Sequence, residues 1–218
     1  GEVPGIGNAD CAALLRERVR IPTSTAVRQR PLEGVTIVEF ATIIAAPLGT
    51  AMLADLGARV IKVEAPDGDP FRAMGGGIGA ARVNSGKESV CLDLKTPEGQ
   101  RIAQQLIANA DVLVHNYRVG VPERLGIGYA NAVAQNAALV YVNVNGYGPD
   151  GPGALRPSTH PIPGAALGGV VFQLGGELPG ELLEGAALRD AARRLARANE
   201  LNPDPNTSMV VATAVTLG

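Results

Sequence analysis

Cysteine and histidine are nearly missing from this chain, and charge is scarce. Its 218 residues include two cysteines and two histidines. Cys11 and Cys91 are too few for a disulfide framework, and their separation is not a metal-binding spacing. His115 and His160 do not complete a zinc site with them unless carboxylates join, so no metal is expected. A chain without a disulfide framework fits a reducing compartment, and a cytoplasmic location is expected. Charged residues make up only 18%, with 19 Lys and Arg against 21 Asp and Glu, a net charge of −2. Nucleic-acid binders carry a basic excess, so no nucleic-acid partner is expected. An anionic small ligand remains open to the chain, held by local groups rather than drawn in by a global field. No apolar run approaches the roughly 18 residues needed to span a bilayer, so no membrane partner is expected. The opening residues, Gly-Glu-Val-Pro-Gly, are acidic and glycine-rich rather than basic and then apolar, which is not a signal-peptide pattern.

What is present is enough chain for one large domain with a sizeable core. Residues 1–30 hold a short amphipathic stretch, 11–19, broken by Pro22, and read as a linker arm rather than a domain. The chain opens on Gly, and 208–218 (SMVVATAVTLG) read as a helix cut mid-course, so a piece of a longer polypeptide is expected. The run VTIVEF at 35–40 is β-branched and apolar, which suits a buried parallel strand. Pro47 is placed for the first turn of a helix running through Leu56, and Gly57 for its C-terminal cap. Residues 59–63 (RVIKV) form the next strand, completing a right-handed βαβ unit. A glycine-rich loop with little regular structure is expected over 68–81, and a short strand over 89–94. Thr96-Pro97-Glu98 predicts a capped helix start, with the helix reaching about Asn109. Strands are expected at 112–115 and 138–144 around a helix at 130–135. An ordered Gly- and Pro-rich loop should cover 149–164, followed by helices over 186–201 and from Asn206 or Thr207. Strands alternating with helices predict an α/β fold, a doubly wound and mainly parallel sheet.

Such a sheet binds ligands beyond the carboxyl ends of its strands. The segment 41–46 (ATIIAA) lies there and enters the first helix at Pro47. Backbone N–H groups of Thr42, Ile43 and Ala45 could then meet a phosphate or a thioester oxygen. The plainer reading is an ordinary strand-to-helix turn. No GxGxxG lies between this strand and its helix, which argues against a nicotinamide cofactor. Gly75-Gly76-Gly77 lacks the Lys and the Ser or Thr of a Walker loop and reads as a surface loop.

Four segments occur in fixed order between residues 31 and 157: PLEGVTIVEFATIIAAPLGTAMLADLGARVIKVEAPDGDP, NSGKESVCLDLKTPEGQ, ADVLVHNYRVGVPERLGIGY and NAALVYVNVNGYGPDGPGALRP. This series resembles the family III (CaiB/BaiF-type) coenzyme A transferases over residues 31–175. The resemblance implies a Rossmann-like large domain over 31–218, incomplete here, with the family's smaller domain and glycine-rich flap missing from the chain. It implies acyl-coenzyme A and carboxylic acids as substrates, and as partner a second copy in an interlocked homodimer or a second family-like domain. It implies that the Asn-x-x-Lys run of Asn84 and Lys87 binds coenzyme A, with Lys87 approaching the phosphates; a solvated turn is the plainer reading of Lys87. Asn116-Tyr117 stands where the family lines its coenzyme A channel. Arg124 stands where a family Arg meets the nucleotide phosphates, a role suited to its forked donors; the alternative is a surface ion pair. Asn145 stands where some members carry Lys, and Ala65 where an Arg is common, so positive charge near the nucleotide is reduced. His115 replaces a usual Glu and reads as a supporting or core residue.

In these transferases an Asp carboxylate attacks the acyl thioester, forming a mixed anhydride and then an aspartyl thioester. Counted from Arg156-Pro157, that position falls at His160; counted back from Gly168-Gly169, it falls at Pro161. No Asp or Glu lies between Asp150 and Glu177. Three accounts stay open. His160 is itself catalytic, as general base or acyl acceptor; the segment is a degenerate binding or scaffold half; or another half of a fused protein supplies the carboxylate. The reading is a coenzyme A transferase acting on acyl thioesters and carboxylic acids. The rivals are the scaffold half and an acyl-coenzyme A racemase of the same family.

Overall fold

The structure, a computed structural model, describes residues 30–158, 180–197 and 203–218, with the isolated positions 162, 168, 172 and 175. The linker arm, His160 and Pro161 lie outside the described residues. Along the chain come β1 (Thr36–Glu39), α1 (Ala45–Asp55), β2 (Arg59–Glu64), a 3-10 stretch (Pro70–Gly77) and α2 (Ile78–Val83). Next are β3 (Lys87–Cys91), α3 (Pro97–Ala108), β4 (Val112–His115), α4 (Val121–Arg124), α5 (Tyr129–Gln135) and β5 (Val140–Asn143). Two further helices, α6 (Gly185–Arg197) and α7 (Pro203–Leu217), close the described chain.

The five strands form one sheet in the order β3-β2-β1-β4-β5, and each neighbouring pair is parallel. Period-2 alternation then sorts side chains between two cores. Ile37, Val112 and Val114 point to the face covered by α1 and α7, where they meet Ala46, Leu53, Val211 and Val215. Val38 and Leu113 point to the other face, against Ala103 and Ile107 of α3 and Ala132 of α5. Helices on both faces make the sheet doubly wound, as the alternation of strands and helices predicts.

Local signals explain the element ends. Gly57, at φ 106°, and Ala58 return their N–H groups to the carbonyls of Ala54 and Leu53, a Schellman close to α1. Thr96 caps α3, its hydroxyl accepting the Gly99 N–H at 3.1 Å, with Pro97 in the first turn. Gly49 lets α7 lie directly on α1: a Cβ there would come within 2.8 Å of the Ser208 carbonyl and 2.9 Å of Val211.

Three expectations are corrected. Residues 68–81 are not a loop of little structure; they wind into the 3-10 stretch and α2, because the Asp69 carboxylate caps the turn through the Phe71 N–H at 2.9 Å and Pro70 starts it. Strand β3 begins at Lys87 rather than 89 and ends at Cys91, since its register on β2 runs from Val60↔Lys87 to Glu64↔Cys91. The last helix starts at Pro203, ahead of Asn206, with Asp204 in its first turn.

Candidate functional site

In the observed order, β1 has β2 on one side and β4 on the other. Connections leave the carboxyl ends of β1 and β4 in opposite directions, and this divergence is where a doubly wound sheet opens a crevice. The turn from Phe40 to Ile44 lies there. Its backbone is held by side chains from neighbouring strand ends. Asn116, just past β4, accepts the Thr42 N–H at 3.0 Å and donates its own amide to the Thr42 carbonyl at 2.8 Å. Asp69, past β2, accepts the Ile43 N–H with both oxygens at 3.2 Å. The Lys62 ammonium donates to the Ala41 carbonyl at 2.7 Å.

Beneath the turn lies a buried set of alternating charges. Lys62 bridges Glu39 and Asp69, 2.9 Å from each. Lys87 meets the other oxygen of Glu39 at 2.6 Å and the Pro47 carbonyl at 2.8 Å. Thr50 of α1 also donates to Glu39. Two carboxylates balance two ammonium groups, so the burial cost of each ion is offset by its partners. Burial works against the Lys62 ammonium, but Glu39 and Asp69 outweigh it and raise its pKa. Burial wins at Lys87, and its pKa falls to about 8 despite Glu39, with Lys62 adding repulsion. Beside this set, Glu64 accepts from Arg72 at 2.5 and 2.8 Å, from Ser89 and from the Asp69 N–H. The Arg72 hydrogen bonds lead in lowering the Glu64 pKa to about 2.

At the end of β4, His115 is buried and its Nδ1 accepts the Tyr117 N–H at 3.2 Å. Its ring stacks with Tyr117 and meets the edge of Tyr141. Burial lowers its pKa to about 4, so it stays neutral near pH 7. The expectation of a supporting or core residue matches this position.

The structure therefore brings Thr42, Ile43, Ala45 and Asn116 together at one turn, with Tyr117 next to it. It corrects the expectation that the Thr42 and Ile43 N–H groups meet a phosphate: Asn116 and Asp69 already take them. Lys87 lies beneath the turn rather than on it: its ammonium is buried against Glu39 and the Pro47 carbonyl of α1 and does not face solvent. Asn84 follows α2, and its side-chain amide is buried without a hydrogen-bond partner among the described residues. Arg124 is exposed on α4 and takes part in no ion pair among the described residues, while Asn145 is half-buried beyond β5. Among the described residues neither hydrogen-bonds to the turn. Ile44, at the N-cap of α1, supplies no side-chain hydrogen bond to the helix start. Among the described residues no group of three or more His, Cys, Asp and Glu side chains gathers to hold a metal, and no helix is long and apolar enough to cross a membrane. Sequence reasoning missed Glu39, Lys62 and Asp69. The signal was available in part: Glu39 and Lys62 interrupt apolar strands that must be buried on both faces, and such charges need partners.

A parallel five-stranded sheet with helices on both faces and a braced turn at its switch point defines a doubly wound α/β domain. Residues 32–199 match CoA-transferase family III, and the chain belongs to that family. It is 36% identical over 159 residues to the acetyl-CoA:oxalate CoA-transferase of Acetobacter aceti, covering 70% of this chain and 41% of that protein. It is 35% identical over 199 residues to the succinyl-CoA:glutarate CoA-transferase of Mus musculus, covering 88% and 45%. The crystal structure of Rv3272 from Mycobacterium tuberculosis superposes with a TM-score of 0.69 at 30% identity, covering 87% of this chain and 50% of that one. A CAIB/BAIF family protein from Brucella suis gives a TM-score of 0.66 at 30% identity, with the same coverage. The chain thus spans half or less of the length of these relatives.

Proposed function

We propose that this chain is the coenzyme A-binding part of an enzyme that moves coenzyme A between carboxylic acids. The observation that carries the reading is the family match over 32–199 on a sheet whose switch-point turn is gripped by Asn116. At the start of α1, where among the described residues no side chain caps the helix, the Ala45 N–H suits a phosphate or thioester oxygen, while Ala46 is buried and Pro47 has no N–H. Relatives act with acetyl- or succinyl-coenzyme A and a dicarboxylate such as oxalate or glutarate, so these thioesters and acids are the first substrates to assay. Asn116 and Tyr117 line the channel in this reading, and Asn84, Arg124 and Asn145 lie towards the nucleotide. Lys87 acts from beneath, through Glu39 and the Pro47 carbonyl.

A second reading has its own support. No carboxylate stands between Asp150 and Glu177, where the family's nucleophile is expected. In that reading this segment binds or scaffolds, and a partner domain or second copy supplies the attacking carboxylate. A transfer assay on the native polypeptide, with and without His160→Ala, separates the two. Activity lost with His160→Ala places His160 in the chemistry. Activity that survives places the nucleophile elsewhere. Absence of both transfer and coenzyme A binding would end the reading.

A further inference from the structure

Building on coenzyme A binding at the β1 turn, we propose that Asp69 is a positioning residue for that site: its carboxylate holds Ile43 left-handed, and this sets the course of the turn from β1 into α1. Among the described residues Ile43 is the non-glycine residue with positive φ, at 71°. A β-branched side chain is the least suited to that region. Glycine would adopt it freely, yet the chain carries isoleucine. Packing of the side chain does not supply the compensation, because Ile43 is 36% exposed. The compensation lies in the backbone. Four successive polar groups, from the Ala41 carbonyl to the Ile43 N–H, are each bonded by a side chain from a neighbouring strand end. Lys62 takes the first, Asn116 the two of Thr42, and Asp69 the last.

Asp69 is built for such a hold. It is buried, and it is fixed by the Lys62 ammonium at 2.9 Å, by the Phe71 N–H at 2.9 Å and by its own N–H on Glu64 at 3.0 Å. Lys62 joins Asp69 to the Ala41 carbonyl, so the two ends of the turn are pulled by one ion pair. Ending a strand and starting a helix requires none of this. A strained residue persists where its surroundings over-determine it, and such places cluster at ligand-binding sites. With its polar groups drawn inward up to Ile43, the turn leaves Thr42 to Ala45 partly exposed and buries Ala46 and Pro47 behind it.

The test is a double-mutant cycle of Asp69→Asn and Ile43→Gly in the native full-length polypeptide. Its readouts are the coenzyme A dissociation constant by calorimetry and backbone hydrogen exchange over 41–46 without coenzyme A. The Ile43 N–H is shared by both oxygens of Asp69. In either orientation an asparagine keeps one acceptor for it and sets an NH2 group against it at the other, halving the hold, while Lys62 or the Phe71 N–H loses its partner. With Ile43 present, Asp69→Asn should weaken coenzyme A binding about tenfold and speed exchange over 41–46. Combined with Ile43→Gly, which needs no restraint to be left-handed, the same change should cost less than about twofold. An equal loss in both backgrounds would overturn the proposal, because Asp69 would then act only as a buried charge. If Asp69→Asn alone does not fold, recovery of folded protein on adding Ile43→Gly supports the hold, and no recovery overturns it. A wild-type protein that binds no coenzyme A ends the functional reading and the positioning role together, while exchange over 41–46 still reports on the tether itself.

Discussion

Asn116 holds Thr42 by both of its backbone groups, across 74 residues of sequence. The amide accepts the Thr42 N–H and donates to the Thr42 carbonyl, so β1 and β4 are locked where their connections diverge. Asn116→Ala leaves both groups of Thr42 without a partner in a half-buried position. Each unmade bond costs about 1–3 kcal/mol where water is excluded, and less where it enters, so a loss of about 2 kcal/mol is expected. Asn116→Asp should be no better, because it sets a carboxylate against the Thr42 carbonyl. Denaturant unfolding of both variants at neutral pH checks this; equal stability of wild type and Asn116→Ala would refute it.

The buried charges should behave as a unit. Lys62→Met removes the ammonium that bridges Glu39 and Asp69 and leaves two buried carboxylates facing Lys87 alone. Breaking a buried pair in this way costs about 3–5 kcal/mol. The midpoint of thermal or denaturant unfolding should drop accordingly, well beyond the change from replacing an exposed lysine such as Lys95.

Acid should weaken the fold through Glu64. Its pKa is about 2 in the folded protein against 4.5 ordinarily, with Arg72 as the leading cause. Between those values the unfolded chain binds the extra proton, so stability rises with pH there. The contribution is fully present above pH 4.5 and is lost as pH falls towards 2. Arg72 is half exposed and its charge is screened, so about 1–2 kcal/mol is at stake. Stability curves of Glu64→Gln should be flatter than wild type across this window, and a parallel curve would remove Glu64 as the cause.

Gly49→Ala separates helix propensity from packing. In an open helix the change would stabilise by about 1 kcal/mol. Here the new methyl meets the Ser208 carbonyl and Val211, and overpacking of this kind costs about 1–3 kcal/mol. A net loss of stability, with faster hydrogen exchange in α7, is expected. A gain would mean that α7 does not rest on α1 as described.

These cases also mark what could be read in the sequence. Strand β4 and helix α3 were legible because each carries an uninterrupted local signal: four apolar-to-His residues in one, a Thr-Pro-Glu start in the other. The 3-10 stretch was hidden because the glycine run at 75–77 spoke louder than the Asp69-Pro70 start. Asn116 was singled out through the family resemblance, but no spacing reveals that it grips Thr42; that depends on β1 lying beside β4. The Glu39, Lys62 and Asp69 set is less legible still. Its members come from three positions that only the sheet order brings within 3 Å, and buried charge pairs follow no period. Backbone conformation at Ile43 left no trace, since isoleucine predicts the opposite.

The central claim, that the braced turn at the end of β1 binds coenzyme A, is tested most directly by calorimetric titration of coenzyme A into the native polypeptide and its Asn116→Ala variant, below the variant's unfolding temperature. The account predicts saturable one-site binding to wild type and at least about tenfold weaker binding to Asn116→Ala. No binding to the wild type, or equal affinity in the two proteins, would contradict it.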